Sequence, residues 1–266
     1  MVSFMKRIKM NRREQFYRKS VSRWIEKNAR VLVVAGGSAD KLVFKSLDFT
    51  NVTLTNIDPR NKKDDYYPFS YDFQDVENLT YENSSFDFVV VHAALHHCYN
   101  PHKALTEMYR VAEKGILVIE SRDSFTMKLL VKLGYVVDYE LRAVFDNECL
   151  HGGVNNSEIT NFVYRWTENE VEKTINTFMP IGMHQFFYMY ANDKDFNKLN
   201  ISKPLKIILN FLKVIYRVFI FFFPKQQNLF SILVLKPDLS KQLHPWLTFY
   251  KGSVRLKKSY LFKIFK

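Results

Sequence analysis

The feature that most constrains how this chain folds is an alternation of short apolar runs with stretches of helical spacing. Val31–Val34, Val52–Ile57, Phe86–Val91 and Ile116–Ile119 are each too short for a stable helix. Between them, residues 40–48 and 101–113 carry helical periodicity, with Ala104, Leu105, Met108, Val111 and Ala112 on one face. Runs that are apolar throughout predict strands buried on both faces, which is the environment of a parallel sheet. Strand and helix in turn predict an α/β fold: a seven-stranded, mostly parallel sheet with helices on both faces.

The order of segments gives the organisation. Residues 1–30 read as a basic lead-in helix, with Phe16, Val21, Trp24 and Ile25 on its apolar side. Residues 31–120 carry the alternating core. Residues 121–165, with Gly152-Gly153 and the polar run "NNSEIT", read as an excursion that lies over the core as a lid. Residues 166–245 complete the sheet. They hold a helix capped by Thr167 and Glu170, a strand in "MHQFFYMYA", an apolar helical insertion at 203–223 and a last strand at 229–236, expected to run antiparallel. Residues 246–266 form a basic, aromatic tail.

Two features of the core point to a nucleotide. The first apolar run stops at Ala35-Gly36-Gly37-Ser38-Ala39. A small-residue turn between strand and helix lets a ligand approach the backbone closely, and it also serves plain tight packing. Asp58, an acid at the end of the next strand, can accept hydrogen bonds from the two hydroxyls of a ribose, or can simply make an Asp-Pro turn. Turn and acid together indicate an adenosine-type cofactor. They do not separate a dinucleotide from S-adenosylmethionine.

A third element bears on that choice. Asp75-Val76 precedes Leu79; Phe86-Asp87 introduces an apolar strand; Leu95-His96-His97 is followed by Asn100-Pro101; and Glu107-Met108-Tyr109-Arg110-Val111 closes a helix before the next strand. This ordered set, over about residues 30–121, resembles the class I S-adenosylmethionine-dependent methyltransferases, most of all their small-molecule branch. The resemblance implies a Rossmann-like sheet and S-adenosylmethionine as cofactor. Ala35, Gly36, Gly37 and Ser38 would line its methionine end, Asp58 its ribose, and Asp75 and Val76 its adenine, with His92 beside them. The family often has an acid in the first strand and a G-x-G-x-G turn; here Val33 and Ala35-Gly36-Gly37-Ser38-Ala39 occupy those places. Alanine for glycine is tolerated there only if the local φ is negative, and a negative φ is therefore expected. "NFVYRWTENEVEK" and "LHPWL" resemble the tails of methyltransferases encoded among bacterial surface-polysaccharide genes.

Methyl transfer needs acceptor and methyl group held in line, and a base if the acceptor carries a proton. His92, His96 and His97 are the catalytic candidates, since imidazole titrates in the useful range; Glu120 lies near them in the pattern. Arg122, Asp123, His151, Tyr164 and Arg165 are the candidates for the acceptor, a small molecule or glycan, with Arg142, Asp146 and Trp166 also offered by the lid. No metal site is expected. There is no C-x-x-C and no histidine pair at i, i+4, and adjacent His96 and His97 would point apart on a regular helix or strand. A nicotinamide-dependent oxidoreductase, or an inactive fold used for binding, remain the alternatives.

Charge is unevenly spread. Residues 1–30 carry ten Lys/Arg against two acids, and residues 201–266 carry thirteen against one, while the whole chain is +12. The middle is therefore acidic, which disfavours a nucleic-acid cleft. Lys206, Asn210, Lys213 and Arg217 make a narrow polar stripe on the apolar helix, and the tail mixes six basic residues with Tyr260, Leu261, Phe262, Ile264 and Phe265. Such mixtures suit weak contact with an anionic membrane surface. The cysteines, Cys98 and Cys149, make no disulfide framework, and the basic residues 1–10 are not followed by an apolar stretch. The expected location is the cytoplasm, peripheral at the inner membrane face.

Overall fold

A computed structural model describes residues 10–193 and 203–266. Residues 1–9 of the basic lead-in and residues 194–202 lie outside the described residues, as do the side chains of Lys206 and Asn210.

The centre is a seven-stranded sheet: β1 (Val31–Val34), β2 (Val52–Asn56), β3 (Ser70–Phe73), β4 (Phe86–His92), β5 (Ala112–Ser121), β6 (Gln185–Ala191) and β7 (Leu229–Leu235). Their spatial order is β3-β2-β1-β4-β5-β7-β6. The first five are parallel, and β7 runs antiparallel to both neighbours, as the sequence predicted for the last strand. This is the Rossmann-like α/β fold, with the order of successive strands reversing between β1 and β4 while both strands run parallel.

The apolar runs are strands because both faces are covered. Val31 and Val33 face one core, with Tyr17 and Val21 of helix α1 (Arg12–Trp24) and Val43 and Phe44 of α2 (Ser38–Ser46). Leu32 and Val34 face the other, with Leu105 and Met108 of α4 (Pro101–Val111) and Val171 and Ile175 of α7 (Glu168–Phe178). Between β2 and β3 lies the short α3 (Lys63–Tyr66). Gly115 lets β5 and β7 approach, since a Cβ there would lie 2.4 Å from the carbonyl oxygen of Val234.

The excursion at 121–165 contains α5 (Phe125–Lys132) and α6 (Leu141–Phe145). Trp166, offered above as part of a lid, is instead fully buried in the core against His102 and Tyr164. Its indole has apolar area that the α4–α7 layer covers. Helix α8 (Lys203–Phe222) exposes Val214, Ile215, Val218, Phe221 and Phe222. The tail is structured: β8 (Leu247–Tyr250) and β9 (Ser253–Leu256) pair as a hairpin, followed by α9 (Lys258–Ile264). No helix among the described residues is long and apolar enough to cross a membrane.

Candidate functional site

The carboxyl ends of β1, β2 and β4 open onto one cavity of about 300 Å³, at the switch in strand order. Ala35, Asp58, Asp75, Val76, His92 and His97 all line it. So do Asn147, Gly152 and Gly153 from the excursion, which closes one side.

The turn after β1 is held firmly. The Gly36 N–H donates to the Thr55 carbonyl at 2.7 Å, while the Gly36 carbonyl accepts from Asn56 Nδ2 at 3.0 Å and Tyr66 Oη at 3.1 Å. A Cβ on Gly36 would press on Leu54 at 3.0 Å. Gly37 N–H donates to Asp40 Oδ2, and Ser38 opens α2. Ala35 has φ 49°, not the negative angle expected, and Ala93 at the end of β4 has φ 52°. The geometry demanded here is left-handed, and alanine meets it at a cost that glycine would avoid. Both strained alanines line the cavity, and strain of this kind gathers at ligand sites.

Each acid has a partner. Arg60 donates from Nε to both oxygens of Asp58, at 2.9 and 3.0 Å, and from its other arm to Asn147 Oδ1 at 3.0 Å. The arginine thus ties Asp58 to the excursion and holds its carboxyl below the usual range. Asp75 accepts from the Glu77 N–H and from Asn78 Nδ2.

Behind the turn, Tyr17 Oη, Asp40 Oδ1 and His92 Nε2 are buried without a well-formed hydrogen bond, although Tyr17 and Asp40 lie close enough for each to shift the other's titration. Tyr17 stacks on the His92 ring at 4.4 Å, and His92 Nδ1 lies 3.9 Å from Asp40 Oδ1. Burial raises the Asp40 carboxyl to about 6 and, with the charge of Arg13, lowers His92 to about 4. Buried polar atoms without partners are costly, so they mark where a polar ligand group would be welcome.

The three histidines are not equivalent. His96 is buried between Glu120 at 3.1 Å and Glu140 at 3.3 Å. Burial alone would lower its pKa, but the two carboxylates raise it to about 9, so it stands as a cation rather than a free base. Glu120, fully buried, accepts from the N–H groups of Ala94 and Leu95, both at 2.8 Å, and so shapes the turn. Burial would raise this carboxyl, and the His96 charge with those hydrogen bonds brings it below normal. His97 and His92 line the cavity, and burial lowers both, keeping them neutral. The expectation that adjacent His96 and His97 point apart is corrected. They lie in a single 3-10 turn, Leu95–His97, with ring centres 4.6 Å apart and both Nε2 atoms toward Glu140. With Glu140 they form a group able to hold a metal ion, which the sequence reading had not foreseen.

The acceptor candidates divide. Asp123, Tyr164 and Arg165 line a second cavity of about 460 Å³ beside α5, with Asp138 and Phe162. Arg165 pairs with Asp138 at 2.7 Å and Tyr164 donates to Glu170 at 2.7 Å. His151 stays in the excursion, its Nδ1 3.2 Å from the Asn156 carbonyl. Arg122 is not a substrate clamp in this arrangement. It is buried and forked onto both oxygens of Glu168 at 3.0 and 2.8 Å, and also donates to the Lys225 carbonyl. A guanidinium so placed needs its carboxylate, and the Arg122–Glu168 pair locks the end of β5 to α7. Sequence reasoning missed Asn56, Arg60, Asp40, Tyr17 and Glu140. Asp40 alone had a local signal, three residues after the Gly37 turn.

Residues 35–119 match the family model described as a methyltransferase domain. A comparison with proteins of curated function gives no match. Among solved structures, the chain is similar to an S-adenosylmethionine-dependent methyltransferase from Thermotoga maritima, described as a possible histamine N-methyltransferase. Identity is 14%, coverage 84% of this chain and 89% of that one, and the TM-score 0.49. It is also similar to magnesium protoporphyrin IX methyltransferase from Synechocystis PCC 6803, solved with bound S-adenosylhomocysteine. There identity is 9%, coverage 84% of each chain, and the TM-score 0.49.

Proposed function

We propose that this protein transfers the methyl group of S-adenosylmethionine to a small-molecule or glycan acceptor. One observation carries the reading. The methyltransferase-domain match falls on the segment that builds the 300 Å³ cavity: every lining residue outside the excursion lies within 35–119.

The cofactor is S-adenosylmethionine, and the cavity's chemistry suits it. Asp58 offers two acceptor oxygens where ribose hydroxyls would come, in exchange for Arg60. Asp75 and Val76 stand on the adenine side. Asp40 Oδ1, Tyr17 Oη and His92 Nε2, buried without a well-formed hydrogen bond, supply polar groups for the amino-acid end. When bound, the cofactor supplies a methyl group already activated by the positive charge on its sulfur. The chain's own task is then to orient the acceptor and exclude water, which alone can supply much of a rate enhancement. His92 and His97 are in the neutral state needed to take a proton from a hydroxyl. A nicotinamide-dependent oxidoreductase gives no account of this match.

The acceptor is read from the second cavity. Phe162 and Tyr164 with Asp123, Asp138 and Arg165 combine ring faces with hydrogen-bonding groups, a lining that suits a sugar. The likeness of residues 161–173 and 243–247 to polysaccharide-cluster methyltransferases favours a sugar hydroxyl in bacterial surface-polysaccharide synthesis. The exposed apolar face of α8 and the pairing of Lys258, Lys263 and Lys266 with Phe262, Ile264 and Phe265 favour work at the cytoplasmic face of the inner membrane, on a lipid-linked glycan.

Titration calorimetry tests the core of this reading. Wild type should bind S-adenosylmethionine and give no heat with a nicotinamide dinucleotide at the same concentration. Asp58→Ala should weaken cofactor binding by about 1.5–3 kcal/mol, the usual worth of charged hydrogen bonds, or about 10–150-fold. Unchanged affinity in the variant, or preference for the dinucleotide, would refute it.

A further inference from the structure

His96 and His97 lie outside the group of atoms just assigned to the cofactor, and their Nε2 atoms converge on one carboxylate oxygen. Glu140 Oε2 is 3.3 Å from His96 Nε2 and 3.5 Å from His97 Nε2. All three donor atoms lie within 4.8 Å of one another. Four ligands set tetrahedrally about 2.0–2.1 Å from a zinc ion are about 3.3 Å from each other, so both His–Glu separations match an edge of that figure.

The other ring nitrogens complete the pattern. His96 Nδ1 faces the buried Glu120 at 3.1 Å, and His97 Nδ1 faces the Gly153 carbonyl at 3.4 Å. An acceptor on Nδ1 keeps the proton there, so an ion takes the Nε2 lone pair of neutral His97 directly and need displace only the Nε2 proton of His96, and an Nδ1 so held is the arrangement found behind most metal-bound histidines. The backbone is shaped for it. The 3-10 turn brings both rings to one side, and Glu120 holds that turn by accepting the N–H groups of Ala94 and Leu95. Glu140 arrives from the excursion, where its backbone N–H donates to the Asn161 carbonyl and its Oε2 accepts from Asn161 Nδ2.

We infer that His96, His97 and Glu140 form a binding site for a divalent transition-metal ion, of which zinc is the best fit. Two imidazoles and one carboxylate are a donor set that zinc accepts, with a fourth position left open. Such an ion would fasten the 121–165 excursion to the turn after β4, closing the wall of the cofactor cavity that His97 and Gly153 share. With the ion bound, His97 becomes a ligand and His92 remains as the neutral histidine of the cavity. The site does not depend on the methyl-transfer reading, because ion binding is measured without any cofactor.

The full chain, freed of metal with a chelator, is titrated with zinc by calorimetry and with cobalt by visible absorption. Wild type should bind one equivalent of zinc. Cobalt should develop the intense bands of a four-coordinate site, and zinc should abolish them. His97→Asn and Glu140→Gln, both at partly exposed positions, should each weaken zinc binding at least about 10-fold, the lower end of losses seen even for outer partners of metal ligands. Their thermal melts without metal confirm that they fold. His151→Asn, elsewhere in the excursion, should bind zinc like wild type. No zinc binding by wild type, or equal binding by both ligand variants, would overturn the site and leave an ordinary histidine–carboxylate ion pair.

Discussion

At the scale of single residues, the cavity asks more of its side chains than solubility or packing would. Ala35 holds φ 49° where glycine would be relaxed. Left-handed backbone costs an L-residue about 1–2 kcal/mol, so Ala35→Gly should stabilise the fold by up to about 1 kcal/mol after the entropy of glycine is subtracted. A chemical melt measures it, and a loss of stability would contradict the strained geometry. Asp40 offers a pH test. Burial raises its carboxyl to about 6 in the folded state, above the ordinary value of 3.8. Between those values the native state binds the extra proton. The contribution is complete below the unfolded pKa and is lost as pH rises through about 6. Asp40→Asn removes that dependence. Its stability relative to wild type should therefore improve from pH 4 to pH 7, by about 2 kcal/mol, since part of the roughly two-unit shift already acts at pH 4. Urea melts of both proteins at the two pH values read this directly, and a difference independent of pH would contradict the burial.

At the scale of elements, burial decided what could be read in advance. β1, β4 and β5 were legible because both faces are covered, so Val31–Val34 and Ile116–Ile119 are unbroken apolar runs. β3 was not, because Ser70–Phe73 is a largely uncovered edge strand, "SYDF", with no apolar signature. The β8–β9 hairpin carried a signal that the tail's basic character obscured. Lys251 and Gly252 both have positive φ, the two-residue turn that joins antiparallel strands. The turn also matters for testing the membrane reading, because cutting at residue 251 would split the hairpin. Removing 257–266 keeps it and takes away α9 with its lysines and phenylalanines. Full-length protein should sediment with anionic but not neutral vesicles, and less so in high salt. The truncated chain should lose most of that binding, each basic residue near such a surface being worth about 1 kcal/mol at most. Indifference to lipid charge would contradict the reading.

At the scale of the whole molecule, two remote segments complete a site that the core begins. Asp58, Asp75 and His97 were legible because they sit in a compact, ordered run of motifs at strand ends. Their partners were not. Glu140 reaches His96 and His97 from the excursion, Asn147 meets Arg60 from the same segment, and Tyr17 comes from the first helix. Such meetings are set by how helices and loops pack on the sheet, and no spacing in the chain encodes them. The same packing removed Arg122 from the acceptor candidates by burying it against Glu168. The central claim is that the cavity between β1 and β4 holds the adenosyl cofactor. A crystal structure of the protein with S-adenosylhomocysteine tests it most directly. The expected result places the ribose hydroxyls on Asp58, the adenine beside Asp75 and Val76, and the amino-acid end at the Gly36-Gly37 turn near Asp40. Density for the ligand in the Asp123–Arg165 cavity instead, with the β1–β4 cavity filled only by water, would contradict it.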